Sequence, residues 1–174
     1  NLVVNSGAGA TKVATFTGDI GVTAELKLLT LTTEATFEGM VKVDNIDLAA
    51  ATTATFKGDL TVGGNDFALG DATATATFSG TTQQTIISAA NGEDIIGTGI
   101  VQISNTSNEG VHFSSNAHLG TNTLQLKLAA DAVLTNTVMG HTLKDVTTLA
   151  GSSIVLDDNL AAADIVFTAT ETLT

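Results

Sequence analysis

Apolar and polar residues alternate through the first half of the chain, and they alternate in copies. Ala14-Thr15-Phe16-Thr17-Gly18 recurs as Ala35-Thr36-Phe37-Glu38-Gly39, Ala54-Thr55-Phe56-Lys57-Gly58 and Ala76-Thr77-Phe78-Ser79-Gly80. The phenylalanines stand 21, 19 and 22 residues apart. Two aliphatic residues follow each glycine at the second and fourth positions: Ile20 and Val22, Val41 and Val43, Leu60 and Val62. The fourth copy carries Thr82 and Gln84 there before Ile86 restores the pattern. The unit is therefore Ala-Thr-Phe-x-Gly-x-h-x-Val, with h aliphatic. A period of two is the period of a β-strand, so Ala, Phe, Gly and the aliphatic pair share one face, and Thr shares the other with the variable residue. A second apolar pair follows each unit, at Leu26 and Leu28, Ile46 and Leu48, and Phe67 and Leu69. Gly63-Gly64-Asn65-Asp66 is the strongest turn signal.

Beyond residue 85 the repeat degrades. Ile95-Ile96, Ile100 to Ile103, Val111 to Phe113, Leu119, Leu124 to Leu128, Val133-Leu134, Ile154 to Leu156 and Ile165 to Phe167 read as further short strands. Turn clusters at Asn105 to Asn108 and at Ser114 to Asn116 separate some of them. The Ala-rich stretches Leu48 to Ala54 and Leu160 to Ile165 are the places where a short helix could form, but they lack cap signals. The chain reads as all β and as one domain, 1–174, with clear repeats over 13–85 and degenerate ones over 86–174.

Repeats of about 20 residues suit a parallel β-solenoid, or β-helix: three sides of six to eight residues need roughly 18 to 25 per coil, and successive coils lie about 4.8 Å apart. Stacking like on like would place Phe16, Phe37, Phe56 and Phe78 in an interior aromatic ladder. It would place Thr15, Thr36, Thr55 and Thr77 in an exterior one, and Gly18, Gly39, Gly58 and Gly80 at a bend or beside the rings. A β-sandwich or jelly roll is the alternative, since both use strand–turn–strand units of similar length. Four near-copies of one motif favour the solenoid.

The residues Ala14 to Val22, Ala35 to Val43, Ala54 to Val62 and Ala76 to Gly80 resemble the passenger regions of bacterial autotransporters, and rickettsial-type outer-membrane surface antigens look closest. The match covers the first half well and the second half in composition alone. The resemblance implies a right-handed parallel β-helix, export to the cell surface, and adhesion or structural display. It implies no catalytic residue.

Composition narrows the chemistry. The chain has 174 residues, 18 acids, 6 lysines and a net charge of −12, with no Arg, Cys, Pro, Trp or Tyr and with 31 Thr. Few cations argue against nucleic acid as a partner, because phosphate contacts need them. No apolar run approaches the roughly 18 to 20 residues of a membrane-spanning helix, so membrane insertion of this segment is not expected. The start at Asn1, without Met or a signal peptide, reads as a processed or excised segment. Gly-x-Ser-x-Gly and the phosphate-loop motifs are absent, Gly97-Thr98-Gly99 is incomplete, and there is no Trp or Tyr to stack a sugar. A β-helix carbohydrate-cleaving enzyme would need paired carboxylates in a cleft. We therefore expect no enzyme. His112 and His118, six apart, lack a third ligand at a recognisable spacing, and His141 stands alone.

Calcium is the one cofactor whose donors the sequence offers, since acids fall in turns: Asp44 and Asp47, Asp66 and Asp71, and Asp157 and Asp158. Neither the EF-hand loop nor the calcium β-roll nonapeptide is present, and ordinary solvated turn residues explain the same pattern. Flat Thr arrays on solenoids can bind ice, but Thr17, Glu38, Lys57 and Ser79 put mixed charge on that face. Asn105-Thr106-Ser107 is the only glycosylation sequon. The expected role is a non-catalytic extracellular or cell-surface structural protein, adhesin- or stalk-like. The alternative is a self-associating subunit of a fibre or surface layer, joined by strand addition through Asn1 to Ala10 and Phe167 to Thr174.

Overall fold

Each repeat bends twice, and the strands on its three straight sides join three parallel sheets. The computed structural model describes residues 1–5, 13–64, 67–87, 98–107 and 111 in full, and the backbone of strands at 95–97, 112–113, 123–126, 133–135, 142–148, 153–156, 161–166 and 172–173. Sheet A contains β1 (Leu2–Val4), β3 (Leu29–Leu31), β6 (Ile46–Leu48), β9 (Phe67–Leu69) and β12 (Ile95–Gly97). Sheet B runs β2 (Ala14–Phe16), β4 (Ala35–Phe37), β7 (Thr53–Phe56), β10 (Thr75–Phe78), β13 (Ile100–Ile103), β15 (Thr123–Leu126), β17 (Thr142–Thr148) and β19 (Ala161–Val166). Sheet C runs β5 (Val41–Val43), β8 (Leu60–Val62), β11 (Gln84–Ile87), β14 (Val111–Phe113), β16 (Val133–Thr135), β18 (Ser153–Leu156) and β20 (Thr172–Leu173). From β4 to β12 the chain visits B, C and A in that order and climbs one strand each time, and from β13 on the described strands alternate between B and C. The fold is a parallel β-solenoid, not a sandwich or jelly roll, whose sheets are mostly antiparallel. The Ala-rich stretches are not helical: one crosses a corner where Ala51 takes a left-handed φ of 55° and then enters β7, and the other is β19.

The register stacks identical residues. Ala14, Ala35, Ala54 and Ala76 are consecutive partners, as are Phe16, Phe37, Phe56 and Phe78, and Thr15, Thr36, Thr55 and Thr77. The rings stack at 5.0, 5.3 and 5.7 Å with interplanar angles of 7°, 12° and 24°. Phe67 meets Phe56 edge-on from sheet A, at 6.0 Å and 78°. Around this column Leu29, Leu31, Val41, Val43, Ile46, Leu48 and Leu60 are fully buried, so one continuous core runs up the axis. The polar partner of each alternation lies outside, which is why strands of three or four residues suffice.

The glycine column stands at the B–C corner. There the bend brings each coil's backbone onto the one before it. A methyl on Gly58 would lie 2.6 Å from the Gly39 carbonyl group, and one on Gly39 would lie 2.8 Å from the carbonyl carbon of Gly18. Gly18 has nothing within 4 Å. A side chain at Gly39 or Gly58 would hold adjacent coils apart.

Two coils depart from the simple unit. In the first, Ile20 bridges to Val41 but Leu26 bridges to Val43, so Leu26, not Val22, occupies the inward position. Val22 is 47% exposed. The second apolar pair of that coil is accordingly Leu29 and Leu31, not Leu26 and Leu28. Gly21 starts the detour with φ 75°, where a methyl would stand 1.9 Å from the Lys42 carbonyl oxygen. In the fourth copy Ile86 partners Leu60, so four more residues separate Gly80 from its aliphatic than separate Gly58 from Leu60. Both insertions leave the phenylalanine register untouched.

Past the fourth coil the columns change residue but not place. Val101 follows Ala76 and Ile103 follows Phe78, both fully buried, and Leu124 and Leu126 come next in register. A larger aliphatic at the Ala position accompanies a smaller one at the Phe position, so the pair conserves volume while the sequence repeat fades. β17 arises from Thr142 to Thr148, a stretch too polar to be singled out by its pattern.

Two outcomes follow from the packing. Phe56→Ala should destabilise the protein by about 3–5 kcal/mol in denaturant unfolding. Gly58→Ala should cost about 1–3 kcal/mol, against under about 0.5 kcal/mol for Gly18→Ala. Equal effects at the two glycines would refute the stacked corner.

Candidate functional site

Two of the acidic turns, at Asp44 and Asp71, are held by the protein's own groups. Asp44 opens the corner between β5 and β6, and its carboxylate pairs with the Lys27 ammonium of the coil before it. That hydrogen bond, together with the charge of Asp44, raises the Lys27 pKa. Asn45 Nδ2 donates to the Lys27 carbonyl oxygen at 3.1 Å. Asp47 lies on the exposed face of sheet A, between Thr30 and Ala68 in register. Asp71 ends β9. Its Oδ1 accepts from the Thr73 hydroxyl, the Thr73 N–H at 2.8 Å and the Ala74 N–H at 3.2 Å. The Thr73 bonds, side chain first, hold the Asp71 carboxyl below the usual carboxylate range. Thr73 Oγ1 in turn accepts the Ala51 N–H at 2.8 Å, tying this turn to the left-handed corner of the coil before.

Asp44, Asp47 and Asp71 are not brought together. Among the described residues, no three His, Asp or Glu side chains are grouped as a metal ion would need. Asp66, Asp157 and Asp158 lie outside the described residues, as do His118 and His141. His112 sits on β14 between Thr85 and Thr135 in register.

Charge acts between coils. Lys57 Nζ reaches Glu38 Oε1 at 3.1 Å and Lys42 Nζ lies 3.9 Å from Glu25 Oε1, so all three described ion pairs, with Lys27–Asp44, join neighbouring coils. Asp19 Oδ1 accepts the Met40 N–H at 2.9 Å and Asp59 Oδ1 the Thr85 N–H at 2.8 Å, each across one coil. Lys27, Lys42 and Lys57, with the acids they meet, are rungs of a ladder between described coils.

A buried polar cluster was not singled out by the sequence. Gln84 and Asn105 have no exposed surface. Gln84 Nε2 donates to the carbonyls of Phe56 and Gly58, at 3.0 and 2.9 Å, and its Oε1 accepts from the Gly80 N–H at 2.7 Å and from Asn105 Nδ2 at 2.9 Å. Asn105 Nδ2 also donates to the Thr82 carbonyl oxygen, and its Oδ1 accepts the Ser107 N–H. Asn105 stands one step past Gly80 in the glycine column, and the pair satisfies the backbone that the four-residue insertion exposes. The sequon asparagine is therefore folded inward. The break at Thr82 and Gln84 was the visible signal, and it marks structure rather than chemistry.

The remaining feature is the first coil. Ala14, Phe16, Ile20 and Leu26 hold interior positions but are only partly buried. Among the described residues, β1 and β2 are each paired on one side alone. In β2 the Ala14 N–H donates to Glu34 O, and Phe16 O accepts the Glu38 N–H. Parallel strands bond alternate residues to alternate sides, so the N–H and C=O of Thr15 face the open edge.

The hydrogen bonds of Asp71 set the sign of one pH effect. A lowered folded-state pKa gives stability that is complete above the ordinary carboxylate range and is lost as pH falls through it. Thermal melts of Asp71→Asn should therefore lose less between neutral and strongly acid pH than those of the unaltered protein.

Set against known proteins, the chain matches no protein-family model, no curated protein and no solved structure.

Proposed function

We propose that this chain is a non-catalytic structural segment of an extracellular or cell-surface protein, a stalk that carries adhesive or display surface away from its anchor. The continuous interior column is the observation that supports this reading most. Eight sheet B strands stacked about 4.8 Å apart give an axis of about 34 Å whose core is shared by consecutive coils. Such a body resists bending, because bending would have to unstack rings and break ladder bonds together. Thr, Ser, Lys, Asp and Glu occupy its outer positions, and Lys27, Lys42 and Lys57 with Asp19, Glu25, Glu38, Asp44 and Asp59 are engaged across coils. The resemblance of the Ala-Thr-Phe-x-Gly copies to autotransporter passengers favours the same role.

The second reading, a self-associating subunit of a fibre or surface layer, rests on the edge strands. β1 and β2 stand at one end of sheets A and B, and β19 and β20 at the other end of sheets B and C.

The surface reading is tested on intact cells of the source organism. An antibody raised against the folded chain should label them without permeabilisation, and brief external protease should remove the label. Labelling that requires permeabilisation would overturn it.

A further inference from the structure

We infer that Asn105 is a modification site of the unfolded chain alone: transfer of an N-linked glycan to it and closure of the third, fourth and fifth coils exclude each other, so folding gates the site.

Asn105-Thr106-Ser107 is the chain's only glycosylation sequon. A sequon ordinarily lies in a surface loop, because a glycan is bulky and hydrated. Here the asparagine has 0% of its surface exposed. Both Nδ2 protons are committed, one to the Thr82 carbonyl oxygen at 2.9 Å and one to Gln84 Oε1 at 2.9 Å. Asn105 Oδ1 accepts the Ser107 N–H at 2.7 Å, which folds the sequon back on itself. The flanking backbone is held as well. The Ser104 N–H donates to Phe78 O at 2.8 Å and the Thr106 N–H to Gly80 O at 3.0 Å, both on the coil before.

Glycan transfer needs what this cluster has already used. The Asn105 nitrogen bonds to the anomeric carbon of a lipid-linked oligosaccharide, the sugar–phosphate bond breaks, the lipid-phosphate carrier leaves, and one Nδ2 proton is lost. A single N–H then remains for two acceptors, the Thr82 carbonyl and Gln84 Oε1. A buried acceptor without its donor is costly. The first sugar must also stand where those two groups now meet the nitrogen. Gln84 in turn donates to the Phe56 and Gly58 carbonyls at 3.0 and 2.9 Å, so its displacement reaches the third coil. A glycan on Asn105 therefore opens three coils, and three closed coils withhold Asn105 from a transferase. In a cell that N-glycosylates exported chains, the order of events decides the product. A chain folded first stays unmodified, and a chain modified first stays open. The gate does not depend on where the chain resides.

The test uses the full chain, a purified oligosaccharyltransferase that recognises Asn-x-Ser/Thr, and its lipid-linked donor, with occupancy read by mass. Chain that meets the transferase at the moment of dilution from denaturant should be glycosylated, and Asn105→Gln should abolish that product. Occupancy should fall as the delay between dilution and addition lengthens, on the timescale at which the fold forms. The folded chain should be modified at least about a hundredfold more slowly, through rare local opening. Val22→Asn combined with Ala24→Thr writes a second sequon into the exposed detour, and that site should still be modified after folding. Glycosylated chain, once separated, should lack the cooperative thermal transition of the unmodified chain.

A folded chain modified at Asn105 as fast as in the detour, an unfolded chain never modified at Asn105, or a glycosylated chain that melts as the unmodified one does would overturn the gate. The melt decides the exclusion even where the transferase ignores every folded substrate.

Discussion

Everything in this protein depends on the strand separation of about 4.8 Å, which forces residues one coil apart into direct contact. At that spacing a side chain meets its own counterpart, so each column must consist of residues that pack well against copies of themselves. Phenylalanine does so by stacking, alanine and valine by fitting flat, and glycine by admitting a second backbone at a bend. Lysine and aspartate cannot stack on themselves without repulsion, and on the outer face they alternate instead: Glu38 under Lys57, and Lys27 under Asp44. The same constraint explains how so acidic a chain remains compact. Its charges lie along an extended outer surface, and described lysines link acids of adjacent coils.

The phenylalanine, threonine and glycine columns were legible in the sequence because four coils repeat one motif nearly unchanged. The near-identity of those copies, which sandwich strands do not share, then favoured a solenoid over two packed sheets. Less legible was the inner position of the first coil, where Val22 has the right spacing but Leu26 has the place. A left-handed Gly21 permits the detour, and hydropathy carries no record of backbone handedness. The second half faded for a different reason. Val101 with Ile103 conserves the volume of Ala76 with Phe78 while sharing neither residue, so the packing continues where identity ends. β17 escaped notice because Leu143 and Val146 are its only large apolar residues.

The acidic turns were visible, and the bonds that Asp44 and Asp71 make were not. Asp44 and Asp71 sit in turns as calcium ligands would, yet each is spent on a neighbour: a lysine in one case, the hydroxyl and N–H groups of its own turn in the other. Spacing along the chain cannot separate an oxygen that awaits a cation from one that caps a turn. Gln84 and Asn105 show the converse. Two amides that read as loop residues are the most deeply buried polar groups described, because an insertion at the B–C corner exposed carbonyl and N–H groups that needed partners.

The two insertions carry a further consequence. Each adds four residues at one corner, one at the Ile20–Leu26 bridges and one between Gly80 and Ile86, and in both the next strand of sheet B returns to its column. Axial rise and coil circumference are thus uncoupled. Corners can lengthen, vary or acquire new epitopes without disturbing the coils above and below, while any change along a column is felt by two neighbours at once. Evolution of such a chain should therefore run at two speeds, fast at the corners and slow within the stack, and foreign peptides grafted into the Val22 to Glu25 detour should be presented at a fixed height on an unaltered scaffold.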